Sequence, residues 1–328
     1  MSTTPLDLSA FRHLLPESIL GATTAITPLS MGLSGAGVYA VSTERGEFVL
    51  RVQEASTNPS DWARQLRVLR RAAERGIAPA VVYVDEAAHS VVSARASGVP
   101  LGAALADPAQ GGRAVAGVVA QLRALHTIDP TGVDAVDPVS YARPVWLAQK
   151  DRPGFPAWAA DLSATFDSTA ALLAGDPRQV VSHNDMNPGN VFWDGTQAWF
   201  VDWAAAGLTH PYYDVAAFTT FLNMDADAAN GLLSAQEQGP LDAGNRATFA
   251  ALRQLVALAV GCTFLSMVPD LTVLGATSWA GAPTLADCYA QMRIGKLDFT
   301  TALGRGTFGL AMLRVGTAAG QINQTSPL

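Results

Sequence analysis

Two β-prone runs, Val191-Phe192-Trp193 and Ala198-Trp199-Phe200-Val201, flank the four residues Asp194-Gly195-Thr196-Gln197. Such a stretch suits a hairpin loop, because Asp and Gly tolerate tight-turn backbone and the flanking residues favour strands. A hairpin returns the chain on itself. Asp202, just past the second run, is therefore expected near Asn190, just before the first. Asp185 lies a few residues upstream, in a loop that Pro188-Gly189 forces to turn. Two carboxylates and an amide oxygen are thus expected in one small volume, which restricts the folds and the chemistry open to this chain.

Hard divalent cations such as Mg²⁺ take oxygen ligands, one or two from protein and the rest from water and phosphates. Asn190 and Asp202 can supply those oxygens, and Asp185, outside the metal shell, can take the proton of an attacking hydroxyl. Phosphoryl transfer needs little beyond positioning and charge neutralisation, and this set offers both. Two other readings compete. His183-x-Asp185 also suits a fragment of a metal hydrolase, although no other His/Asp pair supplies the remaining ligands at a recognisable spacing. An Asn-Pro-Gly-Asn turn beside acids also occurs in loops without function.

The chain has 328 residues, 49% of them hydrophobic and 15% charged, enough to fill large cores and too apolar for a disordered protein. This length points to two lobes or domains. Strands are expected over 25–29 and 38–42, over 47–53 after a turn at Glu44-Arg45-Gly46, and over 81–84 and 90–94. A helix over 61–75 places Trp62, Leu66, Leu69 and Ala73 on one face. From about Val99 the pattern turns helical, with helices over 112–126 and 157–173 and a β-rich island at 179–203. The expected architecture is α+β, with a small β-rich N-terminal lobe (1–95) and a larger, mainly helical C-terminal lobe (96–328). Leu255 to Val268 is apolar but short of a membrane span, and is read as a buried helix.

Twenty-one Lys and Arg stand against 28 Asp and Glu, a net charge of −7. A nucleic-acid partner is not expected, since a phosphate-backbone binder needs a basic face. Cys262 and Cys288 are read as reduced core thiols. The N-terminal residues lack a basic leader followed by an apolar run, so no membrane partner and a cytoplasmic location are expected.

His183-x-Asp185-x-x-x-x-Asn190 followed by Asp202-Trp203 resembles the catalytic loop and metal-binding segment of the aminoglycoside phosphotransferase and choline kinase superfamily, small-molecule relatives of the protein kinases. Gly207 to Phe218, with Asp214 opening the next helix, is similar to the same family. The resemblance implies a bilobal protein-kinase-like fold with Asp185 as catalytic base and Asn190 and Asp202 as metal ligands. It makes Asp214 a structural acid bracing the catalytic loop, and His183 is read as a structural hydrogen-bonding residue. It further implies ATP and Mg²⁺ as cofactors and a small-molecule hydroxyl as acceptor. The segment between Asp202 and Asp214 is too short to dock a protein substrate.

A nucleotide kinase needs small residues in a hairpin loop so that backbone N–H groups reach phosphate oxygens. Gly32, Ser34, Gly35 and Ala36, between two expected strands, fit this need. By resemblance Arg51 occupies the place of the cation that meets the α/β phosphates, and Ser93, Ala94 and Arg95 lie in the adenine-binding linker. The helix that follows presents Gln65 where the family has a glutamate. Three explanations stay open: another acid such as Glu54 or Glu74 pairs with Arg51, the register differs, or ATP is held more weakly.

The acceptor is less constrained. Asn184 leans toward the choline and ethanolamine kinase branch, whereas Ala204 replaces an acid usual in that branch. Trp203, Tyr212, Tyr213 and Trp279 are candidates for a cation–π cage. Asp225, Asp227, Glu237 and Asp298 are candidate acceptor contacts. An aminoglycoside acceptor is the alternative within the family. A catalytically silent nucleotide- or metabolite-binding relative is the alternative outside enzymology.

Overall fold

The computed structural model describes residues 7–29, 37–54, 56–275 and 278–322. Two compact units divide the chain: Met1–Asp134 with Pro188–Gly207, and Ala135–Asn187 with Leu208–Leu328.

In the first unit, β1 (Ala25–Pro28), β2 (Gly37–Thr43) and β3 (Gly46–Val52) precede helix α1 (Pro59–Glu74). Then come β4 (Val81–Asp85), β5 (Ser90–Ala94), β6 (Val99–Pro100), α2 (Leu101–Ala106) and α3 (Gly111–His126). The first five strands form one antiparallel sheet in the order β1-β2-β3-β5-β4. Strands β2 and β3 are joined by Glu44-Arg45, with Thr43 facing Gly46, whose φ of 138° suits a residue without a Cβ.

Alternation along the strands assigns the two sheet faces. Ile26, Val41, Leu50 and Val92 form one apolar face, covered by Leu14, Leu15, Ile19 and Leu20 from the N-terminal segment. Val91 points to the opposite face and packs with Trp62 and Leu66 of α1. Because Leu50 belongs to the first face, its neighbour Arg51 belongs to the α1 side, as does Gln53.

The chain then enters the second unit as α4 (Pro138–Leu147), α5 (Ser163–Gly175) and β7 (Val180–Ser182). The helix expected over 157–173 is divided. A 3₁₀ turn covers Ala157–Ala159 and α5 begins at Ser163, after Asp161 Oδ1 has accepted the Ser163 N–H. Strands β8 (Val191–Trp193) and β9 (Ala198–Phe200) return to the first unit as the expected hairpin, and β8 also pairs with β6. Its loop is closed by Asp194, whose carboxylate accepts the N–H groups of Thr196 and Gln197.

The remainder comprises β10 (Gly207–Thr209), which pairs with β7, and α6 (Tyr213–Phe221), α7 (Ala226–Glu237), α8 (Ala243–Ser266), α9 (Leu285–Arg293) and α10 (Ala302–Ile322). Helix α8 is long and apolar enough to cross a membrane by length and composition, but most of its apolar window is buried. It packs against α4, α5, α6 and α10 of its own unit, as the buried-helix reading of 255–268 anticipates. Cys262 and Cys288 are buried free thiols, and burial pushes them up to about 12 and about 11.

Candidate active site

In the second unit the loop after β7 is held by one carboxylate. Asp214, fully buried in the first turn of α6, accepts the N–H of His183 through Oδ2 and that of Asn184 through Oδ1, both at 2.8 Å. Burial raises the Asp214 pKa, while nearby His183 and the two backbone donors oppose that rise. His183 is itself fully buried, and its Nδ1 accepts the Asp185 N–H at 3.3 Å. Three successive amides are therefore held by side chains, and the loop bends at Asn184, where φ is 64°. Asn187 Nδ2 donates to Asp185 Oδ1 at 3.0 Å, orienting the carboxylate.

The positive φ bears on which residue can stand at 184. Glycine takes this conformation freely and asparagine tolerates it better than most residues. An Asn at 184 thus answers a backbone requirement that Gly also meets.

In the first unit, the β8–β9 hairpin places Asn190 and Asp202 at its open end. Val201 N donates to the Asn190 carbonyl at 2.9 Å, one step beyond the Val191–Phe200 pair. Asp202 has φ 63°, a left-handed conformation imposed on a non-glycine residue immediately after the strand. Arg51 Nη1 donates to Asp202 Oδ1 at 2.5 Å, and both side chains are largely covered. Asp202 is therefore the counter-charge of Arg51, rather than Glu54 or Glu74. The physical reason is topological, since Arg51 faces the α1 side of the sheet and the hairpin brings Asp202 there. Gln65 is buried and accepts from Gln53 Nε2 at 2.6 Å, a neutral hydrogen bond between the residue just past β3 and α1.

Arg51 Nε and Nη2 are buried without a hydrogen-bond partner among the described residues. Such donors are costly to bury unpaired, and their planar fork suits a phosphate. The oxygen donors of Asn190 and Asp202 suit a hard divalent cation that completes its shell with phosphate and water. Among the described residues no cluster of three or more His, Cys, Asp or Glu side chains could hold a metal alone.

Gly32, Ser34, Gly35 and Ala36 lie outside the described residues. Ser93 and Ala94 end β5, where Ala94 N donates to Ala80 O and Arg95 N to Glu47 O, so neither of these two amides is open to a base. The four acceptor-side acids have local roles. Asp225 caps α7, Asp227 sits exposed in its first turn, and Asp298 accepts the Thr300 N–H. Glu237 accepts from the Tyr212 hydroxyl at 3.3 Å and pairs with Arg178 at 3.5 Å. The aromatic residues are likewise committed. Trp203, Tyr212 and Tyr213 are buried, and Trp279 stacks with Arg314.

Two contributors have no signature in the sequence. Arg64 of α1 donates from Nε to the Ala206 carbonyl at 2.9 Å, and Asn187 orients Asp185. An arginine on a helix and an asparagine in a loop are common, and only tertiary placement distinguishes these two.

A β-rich part carrying a largely covered cation, an oxygen-bearing pair at the two ends of a hairpin and a helical part with a braced acidic loop fit a protein-kinase-like small-molecule phosphotransferase. Residues 25–254 match APH, the phosphotransferase enzyme family, and the chain belongs to that family. No curated protein matches it in sequence. Among solved structures, the chain is similar to a choline/ethanolamine kinase family protein from Mesorhizobium loti, at 19% identity and TM-score 0.66, covering 95% of this chain and 97% of that one. It is similar also to a choline kinase from Cryptosporidium parvum, at 12% identity and TM-score 0.63, covering 97% and 96%. An aminoglycoside phosphotransferase from Streptomyces rimosus, solved with ADP and streptomycin, matches at 20% identity and TM-score 0.52, covering 76% and 99%.

Proposed function

We propose that this enzyme moves the γ-phosphoryl group of ATP to a hydroxyl of a small cationic molecule, an amino alcohol of the choline or ethanolamine kind. The observation that carries the reading is the pairing of Arg51 with Asp202, which leaves two buried guanidinium donors for phosphate. The ADP-bound relative supports nucleotide use. In this reading Arg51 and the backbone of Gly32, Ser34, Gly35 and Ala36 would hold phosphates, while Ser93, Ala94 and Arg95 would border the purine. With the amides of Ala94 and Arg95 engaged in the sheet, other backbone groups of this segment meet the base.

Asn190 and Asp202 would hold Mg²⁺, which supplies neutralisation of phosphate charge when bound. Asp185 orients the acceptor hydroxyl and takes its proton as the oxygen–phosphorus bond forms and ADP leaves. Asp214 and His183 hold the loop that presents it, so the carboxylate needs no reorganisation at the moment of transfer. The net charge of −7 favours encounter with cationic acceptors, which suits amino alcohols and aminoglycosides alike. The streptomycin-bound relative favours the aminoglycoside as the second reading.

The test is a panel of choline, ethanolamine, other amino alcohols and aminoglycosides incubated with ATP and Mg²⁺ and scored for ADP release. Asp185→Asn should reduce turnover on the active acceptor by about 10²-fold or more while ADP binding is retained. Undiminished turnover would remove Asp185 from its role. Silence across the panel with normal ADP binding would favour a non-catalytic relative.

A further inference from the structure

Arg51, Asp202 and helix α1 are joined by three side-chain bonds that close a circuit within the first unit. Arg51 Nη1 donates to Asp202 Oδ1 at 2.5 Å. Beyond the turn in which Ala206 N donates to Trp203 O, the Ala206 carbonyl accepts from Arg64 Nε at 2.9 Å. The same guanidinium is fixed on α1 by an ion pair from Nη1 to Asp61 at 2.5 Å, with the Arg64 side chain only 15% exposed. Its helix neighbour Gln65 accepts from Gln53 Nε2 at 2.6 Å, and Gln53 directly follows β3, two residues on from Arg51. The path thus runs from β3 to the Asp202 segment, to α1, and back to β3.

We propose that Arg64 and Gln65 are positioning residues that hold Asp202 and Arg51 in register for a metal–nucleotide ligand. The inference rests on the reading of Asp202 as metal ligand and Arg51 as phosphate contact. At this level α1 offers β3 a neutral amide, so the Arg51 charge is left to Asp202, and Arg64 anchors the segment that carries Asp202. An arginine suits this arrangement. Its planar fork keeps Nη1 on the carboxylate while Nε and Nη2 remain for phosphate, whereas an ammonium concentrates its donors on one atom. Groups that orient a metal ligand without touching the metal typically alter metal affinity by about 10- to 100-fold when removed.

Calorimetry of ADP binding to the full chain, with Mg²⁺ and with EDTA, tests the circuit. Arg64→Met should weaken ADP binding in Mg²⁺ by about 10-fold and in EDTA by less than about 2-fold. Gln65→Met, which removes the acceptor for Gln53, should show the same split to a smaller degree. It carries the test if circular dichroism finds Arg64→Met unfolded. Equal losses in both buffers would mark a merely structural role, and no loss would exclude any role; either result overturns the proposal. If the unmodified chain binds ADP equally with and without Mg²⁺, the metal-ligand reading of Asp202 fails, and the positioning role with it.

Discussion

Asp214 accepts one backbone amide on each of its two carboxylate oxygens, and the consequence is measurable at one residue. The His183 and Asn184 N–H groups reach different oxygens of the same carboxylate. Asp214→Asn keeps one acceptor oxygen and turns the other position into a donor facing an N–H group. A buried donor left unsatisfied costs about 1–3 kcal/mol, so urea denaturation should show a loss of that order. Activity should fall further than stability, because the displaced amides lead directly into Asp185. Unchanged stability and turnover would show that the loop holds its shape without the brace. The resemblance to the family could place the acid, but the sequence could not name its partners, because hydrogen bonds spanning some thirty positions depend on where β7 meets α6.

At the scale of elements, the crossing of α8 and α10 depends on glycine. A Cβ on Gly261 would stand 2.9 Å from the Leu313 backbone nitrogen and 3.0 Å from the Gly309 carbonyl oxygen. Those are backbone atoms of the facing helix and cannot rotate aside. Gly261→Ala should therefore destabilise the protein by about 1–3 kcal/mol, the usual cost of overpacking. Gly231 in α7 is the internal control, with open space where its Cβ would go. Gly231→Ala should instead stabilise by up to about 1 kcal/mol, through helix propensity alone. Thermal melts of the two variants should move in opposite directions, and a common direction would refute the packing argument. The apolar run of α8 is visible in sequence. The fact that its glycine marks a close approach is not, because the partner lies some fifty residues away.

For the whole molecule, the decisive fact is the order in which the chain visits its two units. Residues 188–207 return to the first unit and complete it. Val191, Ala198 and Phe200 are fully buried there, Phe200 N donates to Ile77 O at 2.9 Å, and Trp193 Nε1 donates to Gln110 Oε1 at 2.9 Å. A fragment of residues 1–134 lacks these groups and should show no cooperative urea transition. A sigmoidal transition in that fragment would disprove the dependence. Local patterning was enough to reveal the five strands of the N-terminal sheet, helix α1, the β8–β9 hairpin and the oxygen-bearing residues at its ends, because alternation, turn chemistry and short loops act over neighbouring residues, whereas the short strands β6 and β10 were not legible. The counter-charge of Arg51, the Arg64 anchor and the joining of α2, α3 and the hairpin to the β-rich unit were settled only in three dimensions. Each depends on surfaces brought together from distant parts of the chain, and a hydrogen bond or a buried ring leaves no periodicity by which its partner can be found.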